Sequence, residues 1–354
     1  MNTANRSSGF SLSTQHRYQD NFARHILAIT LHLQSEIMNA LTLRHGHSQL
    51  RINFEPYMAI AGDTGARLSD IAELLGISRQ AANQAANQIE AAGYLVRSPD
   101  PADGRAKLLT PTPRGKAMRR QGAREAQQQQ RRLAAVVDAD ELREATESLT
   151  RLESELGILL PQQTAGDTPL IAVLPRLSDY INARLMELTM ARGHANLKLS
   201  FGPVLTAIGP RGGRIQQIAN NQDVSKQAIS ATVSELVELG YIERRTDPDD
   251  ARQVVVVLTD TGQHLISDSI AAVETLESEF SMLIGTAALE QIKRVMARIY
   301  RSLQLEGDVF GHTDGDQIEV IIRELTRKLG VEGTRELAKR ILAGQAQIEQ
   351  ETST

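Results

Sequence analysis

The chain of 354 residues predicts a mainly α fold with small β-hairpins, built as two tandem copies of one unit and followed by a helical extension. Three observations predict it: an internal repeat, two short helices about a tight turn in each copy, and a Gly-Tyr step into a hairpin in each copy.

Displacing the chain by 147 residues aligns Leu68–Met118 with Ile215–Leu265 without a gap, giving 14 identities over 51 positions. Composition alone would give about three. The identities fall at turn, cap and core positions, among them Ile71/Ile218, Ser78/Ser225, Gly93/Gly240, Tyr94/Tyr241, Asp100/Asp247, Asp103/Asp250, Arg105/Arg252 and Gly115/Gly262. Upstream, Phe54 pairs with Phe201 and Gly46-His47 with Gly193-His194. A unit of roughly 140 residues is duplicated. The expected layout is an unstructured segment at 1–17, a first domain at 18–160, a polar, proline-flanked linker at 161–168, a second domain at 169–306 and an extension at 307–354. Asp316–Ile348 has helical periodicity but no counterpart in the first copy.

Each unit opens on a long amphipathic helix: in Asp20–Arg44 the apolar residues Phe22, Ile26, Ile29, Leu33, Ile37 and Leu41 recur at helical spacing. Leu68, Ile71, Ala72 and Leu75 then mark a short helix, which Gly76 ends by supplying a left-handed residue. Ser78 is a natural N-cap for a second helix running to about Ala92. On that helix Ala82, Ala86 and Ile89 form one face, and Arg79, Gln80, Asn83, Gln84 and Asn87 another. The second copy repeats the division, with Ile229, Val233, Leu236 and Val237 inward and Ser225, Lys226, Gln227, Ser230 and Ser234 outward. Side chains of this kind suit base edges and phosphates of a major groove. After each Gly-Tyr comes a hairpin whose tip carries Arg105 with Lys107, or Arg252, and a narrow arginine-bearing loop suits a minor groove. Long helices close each unit, at Thr112–Ala135 and Ala139–Gly157, then at Asp260–Ile284 and Ala287–Leu305.

Composition narrows the function. The absence of cysteine removes disulfides, thiolate metal sites and thiol nucleophiles, and suits a reducing compartment. Residues 1–15 lack a signal peptide's basic and apolar stretches, and no run is read as reaching membrane-spanning length, so a cytoplasmic protein with no membrane partner is expected. The net charge of −4 does not favour nucleic acid, but its distribution is uneven. Arg67–Arg120 holds 9 basic and 5 acidic residues, net +4, whereas Arg214–Ser267 holds 5 and 8, net −3. Aromatic residues make up 3%, too few for the stacking platforms of single-strand binders, so double-stranded DNA is the favoured nucleic acid.

In the order of its elements, and in two stretches of sequence, the chain resembles the MarR family (multiple antibiotic resistance regulators). One stretch is Ser225-Lys226-Gln227-Ala228-Ile229-Ser230 through Leu239-Gly240-Tyr241-Ile242-Glu243-Arg244, similar to the family's recognition helix and wing entry. The other is Asp247-Pro248-Asp249-Asp250-Ala251-Arg252 with Leu258-Thr259-Asp260-Thr261-Gly262, similar to its wing tip and following helix. The first copy keeps Asp103-Gly104-Arg105, but Pro111 and Pro113 follow, and its wing is expected to be shorter or bent.

The resemblance implies two tandem winged helix-turn-helix domains with long dimerisation-type helices, in a repressor or activator of transcription. It also implies that Asp103 and Asp250 brace Arg105 and Arg252, and that a small-molecule effector binds. Family members ordinarily carry one unit and pair as homodimers, so the fused chain is expected to form an intrachain pseudo-dimer with unlike half-sites. Further homo-oligomerisation stays open.

Other readings compete at several positions. A winged helix can serve only as a protein-interaction or scaffold module, because fold does not fix function. The wing arginines could be surface ion pairs with the neighbouring aspartates. His45, His47 and His194 lack metal-ligand spacing and read as ordinary polar histidines. Gly209-Pro-Arg-Gly-Gly-Arg214 lacks the lysine ending of a phosphate loop, and Gln127–Gln130 reads as a solvated helix face. No nucleophile, metal or nucleotide motif is present, so neither a cofactor nor an enzymatic activity is expected.

Overall fold

A computed structural model describes residues 11–159, 168–209, 212–215, 218, 226–247, 253–305 and 330–335, with the side chains of Arg105 and Lys226 left out. Its elements in chain order are α1 (Leu12–Gln19), α2 (Phe22–Asn39), α3 (Glu55–Ala61), β1 (Ala66–Arg67), α4 (Leu68–Leu74), α5 (Arg79–Ala91), β2 (Leu95–Asp100), β3 (Asp103–Pro111), α6 (Pro113–Val137) and α7 (Ala139–Glu155). Then come α8 (Leu170–Met190), α9 (Phe201–Ala207), β4 (Gly213–Arg214), α10 (Lys226–Glu238), β5 (Ile242–Thr246), β6 (Val254–Leu258), α11 (Asp260–Ile284) and α12 (Thr286–Ser302).

Two compact units result, and they divide the chain differently from the sequence repeats. Among the described residues the smaller comprises 31–133, 159, 168–172 and 330–335, and the larger 11–30, 134–158 and those of 173–305. The larger unit thus takes the closing helix of the first repeat together with the second repeat.

In the smaller unit, Phe54, Tyr57, Met58, Ile71, Ala86, Ile89, Tyr94, Leu95 and Leu109 form one buried cluster. Burying a side chain such as Ile89 contributes about 1.5–3 kcal/mol. β1, β3 and β2 form a three-stranded antiparallel sheet in that order, with Arg67 opposite Leu108 and Arg97 opposite Leu109. The two residues of β1 carry no periodic signal, and a two-stranded hairpin is all the sequence predicts. In this wing β2 and β3 have six and nine residues; 248–252 of the other wing lie outside the described residues. Pro111 is the last residue of β3 and Pro113 the first of α6, places where proline's missing N–H is tolerated. The ladder does shift register between Pro99 and Asp100.

Gly115, in the first turn of α6, seats that helix on the Gly-Tyr step. A Cβ there would stand 2.1 Å from the Tyr94 carbonyl oxygen, and one at Gly262 2.0 Å from that of Tyr241. Thr112 and Thr259 cap the two helices alike, each accepting from the glycine N–H at 3.0 and 3.1 Å.

In the larger unit, Phe201, Val204, Ile229, Val233, Leu236, Tyr241, Val256 and Leu265 form the second buried cluster, beside a sheet of order β4-β6-β5. Residues 216–217 and 219–225, the counterparts of most of α4 and its turn, lie outside the described residues. Leu12–Gln19 is helical although 1–17 is expected to be unstructured: Ser11 caps it by accepting from the Thr14 N–H, and Gln19 is buried with its amide on the Thr206 carbonyl at 2.7 Å. All of the expected linker but Thr168, and nearly all of the extension, lie outside the described residues.

Helices α7, α11 and α12 pack together in this unit, and residues one repeat apart meet or make similar bonds. Gln291 Nε2 donates to Glu144 Oε2 at 2.6 Å. Arg151 donates to the Ile284 carbonyl at 2.9 Å, and Arg298, its counterpart, to that of Val136, one residue before the counterpart of Ile284, at 3.3 Å. Glu153 is fully buried beside Arg176 at 3.1 Å, and burial pushes its carboxyl up to about 7 against the pull of the guanidinium.

One expectation on membrane spans is corrected. Phe22–Arg44, with a mean hydropathy of 1.2, is long and apolar enough to cross a bilayer by length and composition. Its Phe22, Ala23, Ile26, Ile29 and Leu33 are buried in the protein, and the core helix of a folded domain passes the same test.

Candidate nucleic-acid interface

The smaller unit builds a candidate interface from α4, α5 and the β2–β3 hairpin. α4 ends at Gly76, whose φ of +62° is the left-handed conformation that side chains resist. The Gly76 N–H returns to the Glu73 carbonyl and the Ile77 N–H to that of Ala72, at 3.1 and 3.0 Å, closing the helix within one turn. Ser78 then caps α5, its Oγ accepting from the Ala81 N–H at 3.1 Å. Ala82, Ala86 and Ile89 are buried, and this fixes the rotation of α5.

The opposite face is open. Ser78, Arg79, Gln80, Asn83, Gln84 and Asn87 are all exposed, as is Lys107 on β3, whereas the Arg105 side chain lies outside the described residues. In the second copy Gln227 is exposed, and Ser230 and Ser234 are half-buried. Ser225, Asp250, Arg252 and the Lys226 side chain lie outside the described residues.

Two arrangements escape the sequence reading. The first is at the base of the wing. Arg67 Nε donates to Asp100 Oδ2 at 2.7 Å, and Arg214 Nε to Asp247 Oδ2 at 2.6 Å, one repeat later. Both aspartates are buried. Asp100 also accepts the Ala102 N–H at 2.9 Å; this bond, then Arg67, holds its carboxyl below the usual carboxylate range. Asp103 stands 3.9 Å from Arg67. The identity of Asp100 with Asp247, and of Arg67 with Arg214, was a usable signal.

The second is at the middle of α5. Arg97, on β2, donates through Nη2 to Asn83 Oδ1 and Asn87 Oδ1, both at 2.9 Å. Its Nη1 pairs with Glu90, whose other oxygen accepts the Arg97 N–H at 2.8 Å. In the second copy Arg244 Nη2 donates to Ser234 Oγ at 3.1 Å, and Ser234 donates to the Ser230 carbonyl at 2.9 Å.

The histidines serve the fold. His47 bonds Gln121 at 2.6 Å and packs on Tyr94, and its counterpart His194 bonds Asp268 at 2.8 Å and packs on Tyr241. His45 bonds Glu125 at 2.9 Å. Among the described residues no group of three or more acidic or histidine side chains could hold a metal.

Comparison with known proteins gives a family match in both copies: the MarR family model matches residues 57–106 and 203–253. The chain therefore carries two MarR-like winged-helix segments. Similar solved structures include the YusO protein from Bacillus subtilis (18% identity, TM-score 0.31, 36% of this chain and 90% of that one). Another is the transcriptional regulator Tm0710 from Thermotoga maritima (18%, 0.32, 39% and 95%). A third is CouR from Rhodococcus jostii RHA1 bound to p-coumaroyl-CoA (20%, 0.31, 44% and 99%). No curated protein matches the chain.

Proposed function

We propose that this chain, with its two MarR-like segments, is a sequence-specific double-stranded-DNA-binding regulator of transcription whose two repeats act as an intrachain pseudo-dimer. The observation that carries this reading is the exposed face of α5, where Arg79, Gln80, Asn83, Gln84 and Asn87 stand together without an apolar side chain among them. Such a face suits a major groove, and it lacks the aromatic and apolar anchors that protein interfaces use. Ser78 completes the first head, with Arg105 and Lys107 on its wing. Ser225, Lys226, Gln227, Ser230, Ser234 and Arg252 are assigned to the second, and Asp103 and Asp250 to bracing the tips.

The Glu144–Gln291 pair, and the bonds of Arg151 and Arg298 to carbonyls one residue off equivalence, support the pseudo-dimer, because at a self-complementary interface equivalent residues make similar contacts. A small effector also belongs to this reading. The larger unit holds an open cavity of about 670 Å³ lined by Arg17, Lys293, Arg294, Arg298 and Arg301 with Asp20, Glu274 and Glu277, a polar lining that suits a charged molecule.

Selection of bound fragments from genomic DNA, followed by footprinting at several salt concentrations, tests the proposal. An enriched site with two unlike half-sites, and affinity falling steeply with salt, is expected. The first head, with net +4, is expected to supply more of the phosphate contact, so Arg105→Ala and Arg252→Ala should lose affinity unequally. No enriched fragment even at low salt would assign the chain to protein interaction instead.

A further inference from the structure

A guanidinium can only donate hydrogen bonds. The carboxamide atoms of Asn83 and Asn87 that face Arg97 must therefore be their oxygens, and both stand 2.9 Å from the same Nη2. Arg97 is itself fixed, because Glu90 holds its guanidinium and its backbone N–H together. Asn83, Asn87 and Glu90 follow the i, i+4, i+7 spacing that puts all three on one helix face. With both oxygens turned towards Arg97, each exposed amide has its NH2 group left for a partner.

We propose that Arg97 sets what α5 reads: by holding the oxygens of Asn83 and Asn87 it presents two outward donors, so the first head selects keto base edges over amino edges. Guanine O6 and N7 and thymine O4 accept from such donors. Cytosine presents only its N4 amino group, and adenine sets its N6 amino group beside the N7 acceptor, so a second outward donor meets another donor there. The paired mode by which a free asparagine reads adenine needs its oxygen for N6 and is disfavoured here. Arg97 is thus a positioning residue.

The second head lacks the device. One repeat on, Asn83, Asn87 and Glu90 become Ser230, Ser234 and Val237, so Arg244 has neither amides to orient nor a carboxylate to hold it there. Ser234 is committed at both ends, accepting from Arg244 and donating to Ser230. Keto selection through oriented amides belongs to one half-site only.

This inference rests on the DNA-binding reading, and the experiment separates their failures. Full-length protein, Arg97→Lys and Arg97→Met are each put through selection from a random DNA pool, with affinities measured against salt and folding followed by thermal unfolding. For the wild-type chain, guanine or thymine is expected at two neighbouring positions of one half-site. Arg97→Lys keeps the charge, but its single nitrogen cannot hold Glu90 on one side and both amide oxygens on the other, as the two arginine nitrogens do. It should bind with an unchanged salt slope while its preference at those positions falls about tenfold, with adenine now accepted. Arg97→Met should relax the same positions.

If Arg97 instead contacts a phosphate, Arg97→Met loses affinity evenly on all sequences, the salt slope drops by about one, and Arg97→Lys keeps the wild-type preference. That result overturns the inference and leaves the DNA reading intact. A wild-type chain that enriches no sequence overturns both.

Discussion

Glu144 and Gln291 lie one repeat period apart and are hydrogen-bonded to each other, Gln291 Nε2 to Glu144 Oε2 at 2.6 Å. At a two-fold interface, the residue that meets its own equivalent lies next to the axis. In the proposed pseudo-dimer one chain supplies both partners, a donor and an acceptor, which two identical ionised glutamates could not be.

Restoring identity should therefore weaken the contact. Gln291→Glu sets two carboxylates together at neutral pH and is expected to destabilise by about 0.5–1 kcal/mol at low salt, since the site is partly exposed. Thermal unfolding at low and high ionic strength, and at pH 3.5 against 7, checks it: salt and acid should both recover the loss. An unchanged midpoint at low salt and neutral pH would deny the pairing.

Glu153 gives the larger unit a pH dependence of unusual sign. Its carboxyl ordinarily titrates near 4.5 and is pushed up to about 7 by burial. Between these values the unfolded chain loses its proton while the folded one keeps it, so stability falls as pH rises. The decline should amount to up to about 3 kcal/mol, flattening below pH 4.5 and above pH 7. Glu153→Gln, neutral throughout, should flatten that window in a series of urea midpoints; a slope that survives the substitution assigns it to another group.

Asp100 behaves in the opposite sense. The Ala102 N–H and Arg67 hold its carboxyl below the usual range, so its contribution is present above about pH 4 and is lost as pH falls through the lowered value. Amide exchange at the wing should stay slow from pH 7 down to about 4. Asp100→Asn is expected to speed exchange at Ala102 and its neighbours at all these pH values while leaving α11 and α12 unaffected. Equal acceleration everywhere would mean a global loss instead.

Two glycines should respond oppositely to alanine. Gly115→Ala drives a Cβ into the Tyr94 carbonyl at 2.1 Å, a clash with backbone that side-chain motion cannot relieve, and a loss of at least about 2 kcal/mol is expected. Gly202, in the first turn of α9, has nothing within 4 Å of its added Cβ, and alanine there should be neutral or stabilise by about 0.5–1 kcal/mol. Urea denaturation of both variants tests the pair, and a Gly115→Ala protein as stable as the parent would contradict the close approach.

The chain sequence determined what short-range chemistry governs. Helical spacing put Ala82, Ala86 and Ile89 on the buried face of α5, Gly76 and Ser78 set the turn, and the repeat period disclosed the two winged segments, because these depend on residues a few positions apart or on direct comparison of the copies. The same local reading misjudged 1–17, since what helps hold Leu12–Gln19 is Gln19 on the Thr206 carbonyl, a partner 187 residues away. Nor did it foresee β1, because two residues have no periodicity.

Tertiary structure alone decided how the polar groups combine. Arg97 stands on β2, and nothing in its spacing from Asn83 and Asn87 says that a strand will return across that helix and leave one nitrogen facing both amides. Asp100 reaches Arg67 only because β1 joins the sheet, and Gln291 reaches Glu144 only because the closing helices of both repeats pack in one unit. Periodicity fixes which face of an element is buried, whereas hydrogen-bond partners are fixed by the positions of whole elements, which depend on packing between residues far apart in the chain.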